Sequence, residues 1–305
     1  MANVLLSTKA VGSTVKLKVD GALKEFLVVH QGKPSSIYDD SCNGTWLLMK
    51  DCYVSRAWHS SNVNKYESSD INTYLNNTFL KLLDSNIQDA IKQVKIPYRQ
   101  NGGSGGTDRN GANGLSTKIF LLSGYEVGFT TSDNSYFPVD GAKLSYFESG
   151  TGSSALNKRI AYLNGSATYW WLRSPSTGGT GNVWYVYSDG DYNFSYASYS
   201  FGIRPALVLP STLLVSDDGT VSTNTPPTIT STSGASGVNL GSKTAAFSFK
   251  YTPNDADGDK LTVTEKLDGV VKKTRTNVTS GTQLTFECAS TAAEFQKILN
   301  GTHTI

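Results

Sequence analysis

The sequence predicts an α+β domain over residues 1–215, a linker over 216–227, and a small all-β domain over 228–305. Three observations predict it. Short strand-like alternations and two helical stretches share the first part, the linker shifts to Ser, Asp, Thr, Asn and Pro, and short alternating strands resume after Pro227. At 305 residues the chain is long enough for about two domains. With 29 glycines, 11% aromatic and only 17% charged residues, it reads as loop-rich and β-containing and not as a helical bundle.

Val15-Lys16-Leu17-Lys18-Val19 alternates strictly, Asp20-Gly21 makes a turn, and Glu25 to Val29 resumes, which predicts a hairpin. Thr45 to Met49 is a further apolar strand. Ser69-Asp70 precede Ile71, Tyr74, Leu75, Phe79, Leu82 and Leu83 at helical spacing. Ser85 with Gln88 fits a capping box for a second helix carrying Ile87, Ala90, Ile91 and Val94 on one face, ended by Pro97. Gln100 to Gly114 reads as a long loop and Lys118 to Leu122 as a strand. Ser123 to Tyr169 is irregular apart from a turn of helix near Leu156 to Tyr162. Two apolar strands follow, Tyr169 to Pro175 and Ile203 to Leu209. Beyond the semi-rigid Asn224-Thr225-Pro226-Pro227, strands are expected at Ala246–Tyr251, Lys260–Glu265 and Gln283–Phe286, with a short helix over Thr291–Leu299.

Between the two apolar strands lies Asn182 to Phe201, where Tyr and Phe crowd among Ser, Asp, Asn and Gly as nowhere else in the chain. Rigid aromatics with adaptable polar neighbours make a binding surface of the kind antibodies use. Alternating aromatics also make ordinary strands. Val183, Tyr185 and Tyr187 fall on one face and Trp184 and Val186 on the other, so one face can be core. After the Ser188-Asp189-Gly190 turn, Tyr192 to Phe201 keeps aromatics on both parities without an aliphatic partner, and exposure is the expectation because each buried hydroxyl needs a partner.

Trp170-Trp171-Leu172-Arg173-Ser174-Pro175 and Gly202-Ile203-Arg204-Pro205-Ala206-Leu207-Val208-Leu209, with Tyr74-Leu75-Asn76 and Phe79-Leu80 upstream, resemble C-type-lectin-fold proteins of phages and bacteria. Many of these look like the variable proteins of diversity-generating retroelements, and the match covers most of residues 1–215. The resemblance implies a C-type-lectin-like domain whose segment between the two motifs is a diversified ligand-binding surface. Randomised Asn codons never yield Lys, Glu, Gln, Met or Trp, and none of these occurs from Tyr185 to Phe201. On this reading the ligand-binding residues are Asn182, Tyr185, Tyr187, Ser188, Asp191, Asn193, Phe194, Ser195, Tyr196, Ser198, Tyr199 and Phe201, with Trp184 as fixed scaffold. Pro226-Pro227 and Asn254 to Asp259 resemble immunoglobulin-like modules of phage tail and bacterial surface proteins. The resemblances together imply display on a virion or bacterial surface, assembly with other surface proteins, and a host-surface protein or glycan as partner.

Other chemistries find less support. Net charge is +2 with no basic stripe, which argues against nucleic acid, and no apolar run approaches a membrane span or an export-signal core. Cys42, Cys52 and Cys288 lack the spacing of a disulfide scaffold; Cys42 and Cys52 can pair in an oxidising medium, but free thiols are the expectation. Asp255, Asp257 and Asp259 offer calcium oxygens, but Gly258 is misplaced for an EF-hand and no bidentate Glu follows, so a solvated turn is expected. The sugar-site signatures of animal C-type lectins are absent. The related formylglycine-generating enzymes use cysteines in the C-terminal part of the domain, and none lies between Thr131 and Ser216. His30, His59 and His303 are isolated, and Asp39, Asp40, Glu126 and Glu148 are carboxylates without a glycosidase motif. Arg173 and Arg204 interrupt apolar strands, which is costly unless they are paired; a ligand-facing role is the alternative, and structural ion pairs or carbonyl contacts beneath the variable surface are the expectation. The expectation is a non-enzymatic binding protein without cofactor or metal; an enzyme of formylglycine-generating or glycosidase type and a structural tail subunit are the rivals.

Overall fold

Strict alternation produces the first hairpin: Thr14–Val19 pairs with Ala22–Gln31 around Asp20-Gly21, both of positive φ. The structure, a computed structural model, describes residues 4–223, 227–231, 239, 241–255, 258–289, 291–298, 301–302 and 304–305. The chain is mostly β and divides into two compact units, Met1–Thr223 and Asn224–Ile305.

Two five-stranded sheets organise the first unit. One runs in the order Ile119–Phe120, Ala206–Leu209, Thr45–Met49, Ala22–Gln31, Thr14–Val19. The other runs Tyr192–Tyr196, Asn182–Val186, Trp170–Pro175, Ser200–Ile203, Val54–Ala57, with a single parallel pairing where Trp170 meets Gly202. The single strand expected over Ile203–Leu209 is therefore two strands in different sheets. Pro205 has no N–H to continue a ladder, and Arg204 turns its Nε to the Met49 carbonyl at 2.9 Å.

Helix Asp70–Asn77 is capped as expected, Ser69 Oγ accepting from Asn72 N at 3.1 Å, and it buries Ile71 and Leu75. It gives way to a 3-10 turn at Phe79–Leu82. The second helix differs from expectation: it spans Ser85–Ala90 with Asp84 at its N-cap, and Gln88 donates to the Leu83 carbonyl instead of closing a capping box. Val94 belongs to a strand, Val94–Ile96, paired with Leu115–Thr117. Alternation of buried Val94 and Ile96 around Lys95 suits a sheet edge better than a further helical turn. The expected loop at 100–114 holds a small ribbon, Tyr98–Gln100 with Thr107–Arg109. Helix Ser153–Arg159 lies a few residues earlier than expected, followed by the ribbon Ala161–Leu163 and Ser166–Thr168.

Part of the expected linker is folded: Leu214–Val215 pairs with Val221–Ser222, and Lys16 N donates to Gly219 O at 2.8 Å. In the second unit Thr228–Ser231, Ser248–Asn254 and Leu284–Glu287 form one sheet, and Leu261–Leu267 pairs with Val270–Val278. The long strand Val270–Val278 carries almost no buried side chain, which is why its sequence shows no apolar alternation. Tyr251, Leu261, Val263, Leu267, Val278 and Phe286 form this unit's core. The short helix is Ala292–Phe295. Leu299, His303, Asn224-Thr225-Pro226 and Asp257 of the acidic turn lie outside the described residues.

Candidate recognition face

Asn182–Val186 and Tyr192–Tyr196 form a hairpin at one edge of the second sheet. Its turn closes through Gly190 N to Tyr187 O at 3.0 Å and Tyr187 N to Asp191 O at 2.8 Å. Gly190 has φ +91, and a Cβ there would meet the Leu156 carbonyl at 2.1 Å, so this position requires glycine. Next to the hairpin, Trp170–Pro175 is buried at every residue. Beyond it lies Ser200–Ile203, where a Cβ on Gly202 would strike Cys52 Sγ at 2.6 Å.

Strand alternation divides the expected binding residues between two faces of this sheet, which is the first correction. On one face Trp171, Tyr185, Phe201, Tyr187 and Tyr169 form a continuous ring cluster, with centroids 4.5 Å apart for Trp171–Phe201 and 4.6 Å for Tyr185–Phe201. Asn193 belongs here, its amide donating to the Tyr187 hydroxyl at 2.8 Å, and Ser195 lies opposite Val183 on the same face. On the other face Trp184 stacks on Phe137 at 3.9 Å and holds Phe194 edge-on at 5.1 Å. Tyr192 fills the gap between Phe129, Phe137 and Trp184, and its hydroxyl donates to the Asp133 carbonyl at 2.8 Å.

Exposure differs equally. Tyr185 is only 6% exposed and belongs to the core, a second correction: its ring packs against both Trp171 and Phe201, which also touch each other, and burial raises its phenol pKa. Phe194, Tyr196 and Tyr199 stand out at 36%, 55% and 54%, with the last two rings 6.1 Å apart. Asn182, Tyr187, Ser188, Asp191, Asn193, Ser195, Ser198 and Phe201 are half-buried. Asp191 caps the turn through Tyr192 N at 2.8 Å, and Ser198 N donates to Asn62 Oδ1 at 2.9 Å. The expectation that one face of Asn182–Val186 is core is exceeded, because Val183, Trp184, Tyr185 and Val186 are all buried.

Beneath the sheet lies a dry polar network. Arg173 is wholly buried and grips Glu126 in a fork, Nη1 to Oε2 at 2.5 Å and Nη2 to Oε1 at 2.7 Å. It also donates to the carbonyls of Pro97, Leu121 and Asp140. Glu126 further accepts from Tyr38 Oη and Ser123 N. Arg173 thus makes the ion pair its apolar strand demanded, and Arg204 the carbonyl contact. Asp140 accepts from Ser174 Oγ at 2.7 Å through Oδ2 while Oδ1 has no hydrogen-bond partner among the described residues, and burial pushes its carboxyl up to about 7. Cys42 and Cys52 are free and buried, in thiol form, with pKa pushed up by burial to about 11 and about 12.

Sequence reasoning missed three residues. Asn64 is buried and donates to the carbonyls of Gly179 at 3.1 Å and Asn182 at 2.8 Å, while its Oδ1 accepts from Gly103 N at 3.0 Å, clasping the hairpin base to the 100–106 loop. A lone Asn in a loop carries no signal of this. Tyr169, 37% exposed, extends the ring cluster; its odd parity with Trp171 was the available signal. Arg56, directly opposite Phe201, depended on a pairing that only the fold reveals.

A family model described as Domain of unknown function (DUF6273) matches residues 43–211, more than half of the chain. The chain belongs to this family. The DUF6273 region includes the whole hairpin, the Arg173–Glu126 pair and Asn64, and excludes the second unit. No curated protein and no solved structure matches the chain. Among the described residues no helix is long and apolar enough to cross a membrane, and no group of three or more His, Cys, Asp or Glu side chains stands together as metal ligands.

Proposed function

We propose that the DUF6273 region is a non-enzymatic recognition domain of C-type-lectin-like type, and that the segment Asn182–Phe201, the hairpin and the turn and strand start that follow it, is its binding element. The second unit is, on this reading, an immunoglobulin-like spacer. The observation that supports it most is a gradient across one sheet: the Trp170–Pro175 strand is dry, while the hairpin's outer side keeps Phe194, Tyr196 and Tyr199 in solvent at 36%, 55% and 54%. Large aromatics left exposed beside Ser and Asn, above a network that immobilises the sheet, are suited to contact a macromolecular partner. The partner is a host-surface protein or glycan, met by a phage tail or a bacterial surface protein.

The same reading takes the hairpin as the diversified segment of a retroelement variable protein. The gene's neighbourhood tests this: a near-identical repeat of the hairpin-coding stretch, differing at adenines and beside a reverse transcriptase, is expected, and its absence removes diversification from the proposal. Binding is tested with labelled protein on printed glycans and intact bacterial cells. Tyr196→Ala and Tyr199→Ala, singly and combined, are expected to lower retention at least tenfold with the melting temperature nearly unaltered. Full retention by all of them would overturn the proposal.

A further inference from the structure

The ring cluster on the Tyr185 face ends at a cation. Arg56 is exposed, lies opposite Phe201 in the antiparallel pair, and stacks its guanidinium 4.3 Å from the centre of the Tyr74 ring on helix Asp70–Asn77. Among the described residues it has no carboxylate within ion-pairing distance. Asp70, on the same helix, has its carboxylate on the Ser60 N–H at 2.8 Å. The Arg56 carbonyl is fixed by the Trp171 indole N–H at 3.1 Å, so the strand presenting the guanidinium is tied to the ring cluster itself.

Running from Arg56, the face offers the half-buried Phe201, the exposed Tyr169 and the half-buried Tyr187, with the Asn193 amide on the Tyr187 hydroxyl. We propose that this face binds an acidic glycan, with a uronate-type sugar ring laid on Phe201 and Tyr169 and its carboxylate held by Arg56. The inference rests on the recognition reading and adds to it a separate acidic-glycan subsite, on the side of the hairpin away from Tyr196 and Tyr199. Each part of such a ligand has a counterpart here. The C–H face of a pyranose is apolar and meets aromatic rings, its hydroxyls need amide and phenol partners, and a carboxylate meets a planar fork of N–H donors. A neutral sugar would leave the guanidinium unused, and a flexible acidic peptide would leave the rings without a flat apolar partner.

The probe is tetragalacturonic acid, titrated calorimetrically against its fully methyl-esterified form, which keeps the rings and loses the charge. The acid is expected to bind at least tenfold more tightly than the ester, with affinity falling as salt rises. Arg56→Gln is expected to lose tenfold or more, Arg56→Lys to recover part of it, and Phe201→Ser to weaken acid and ester alike. Tyr196→Ala and Tyr199→Ala, on the other side of the hairpin, are expected to leave this titration unchanged. Equal affinity for acid and ester, no binding of either, or equal affinity for a glutamate peptide of the same charge would overturn the inference. If the hairpin variants still abolish retention on cells or printed glycans when uronate does not bind, the acidic-glycan subsite alone fails; if they leave that retention intact, the recognition reading has failed as well.

Discussion

The strands Trp170–Pro175 and Tyr192–Tyr196 lie two places apart in one sheet, and both mix aromatic with polar residues. One is buried at every position, its arginine neutralised by Glu126, its Ser174 on Asp140 and its Trp170 indole on the Arg159 carbonyl. The other has no fully buried side chain. Composition is therefore a poor guide to burial within this sheet, and position is a good one. A strand with neighbours on both sides and cover on both faces must satisfy every polar atom internally, whereas an edge strand leaves them to water.

The comparison breaks most severely at the buried pair. Arg173→Met leaves the Glu126 carboxylate without its cation and is expected to cost about 3–5 kcal/mol in urea unfolding. Adding Glu126→Met should restore a large part of that loss, since two apolar side chains of similar volume remove the uncompensated charge. If the double variant is no better than the single one, the network's remaining hydrogen bonds, and not the charge pair, hold this region together.

Next in size is the contrast between two tyrosines of the same hairpin. Tyr185→Ala removes a buried ring packed against Trp171 and Phe201 and is expected to cost about 3 kcal/mol, within the range for large core truncations. Comparable losses for Tyr185 and Tyr196 would erase the distinction between the faces.

Asp140 supplies a pH signature. Its carboxyl is held up to about 7 chiefly by desolvation, with Arg173 and the Ser174 hydrogen bond pulling the other way. Between about pH 4 and about 7 the folded protein keeps a proton that the unfolded chain, with an ordinary carboxyl near 3.8, has released. Its contribution is full in acid and is lost as pH rises through about 7. Asp140→Asn is expected to flatten that decline, read as the urea midpoint across this pH window; an unchanged slope would assign it to other groups.

The smallest effects belong to the rim. Tyr196→Ala and Tyr199→Ala, each more than half exposed, are expected to shift stability by less than about 0.5 kcal/mol. A large loss in either would mark that ring as core.

Alternation and capping made much of the fold legible. Thr14–Val19 and Ala22–Gln31 form because apolar residues recur at every second place, and Ser69 starts its helix because its hydroxyl takes a free N–H. The need for partners around Arg173 and Arg204 was equally readable, because a buried guanidinium is tolerated only when paired or bonded to carbonyls. The turn at Ser188-Asp189-Gly190 and the outward Tyr196 and Tyr199 also followed from local pattern, whereas the pairing of Tyr192–Tyr196 back onto Asn182–Val186 did not.

Other properties depend on contacts between residues far apart in the chain. The sequence alone determined which residues alternate, where turns fall and which side chains would need a partner, since these are properties of neighbours along the backbone. Only the tertiary structure decided that Glu126 answers Arg173, that Asn64 clasps the hairpin, that Arg56 closes the ring cluster and that Tyr185 is core while Tyr196 is not. Each of these depends on which strand lies beside which and on what covers the face, and a periodic pattern carries no record of either.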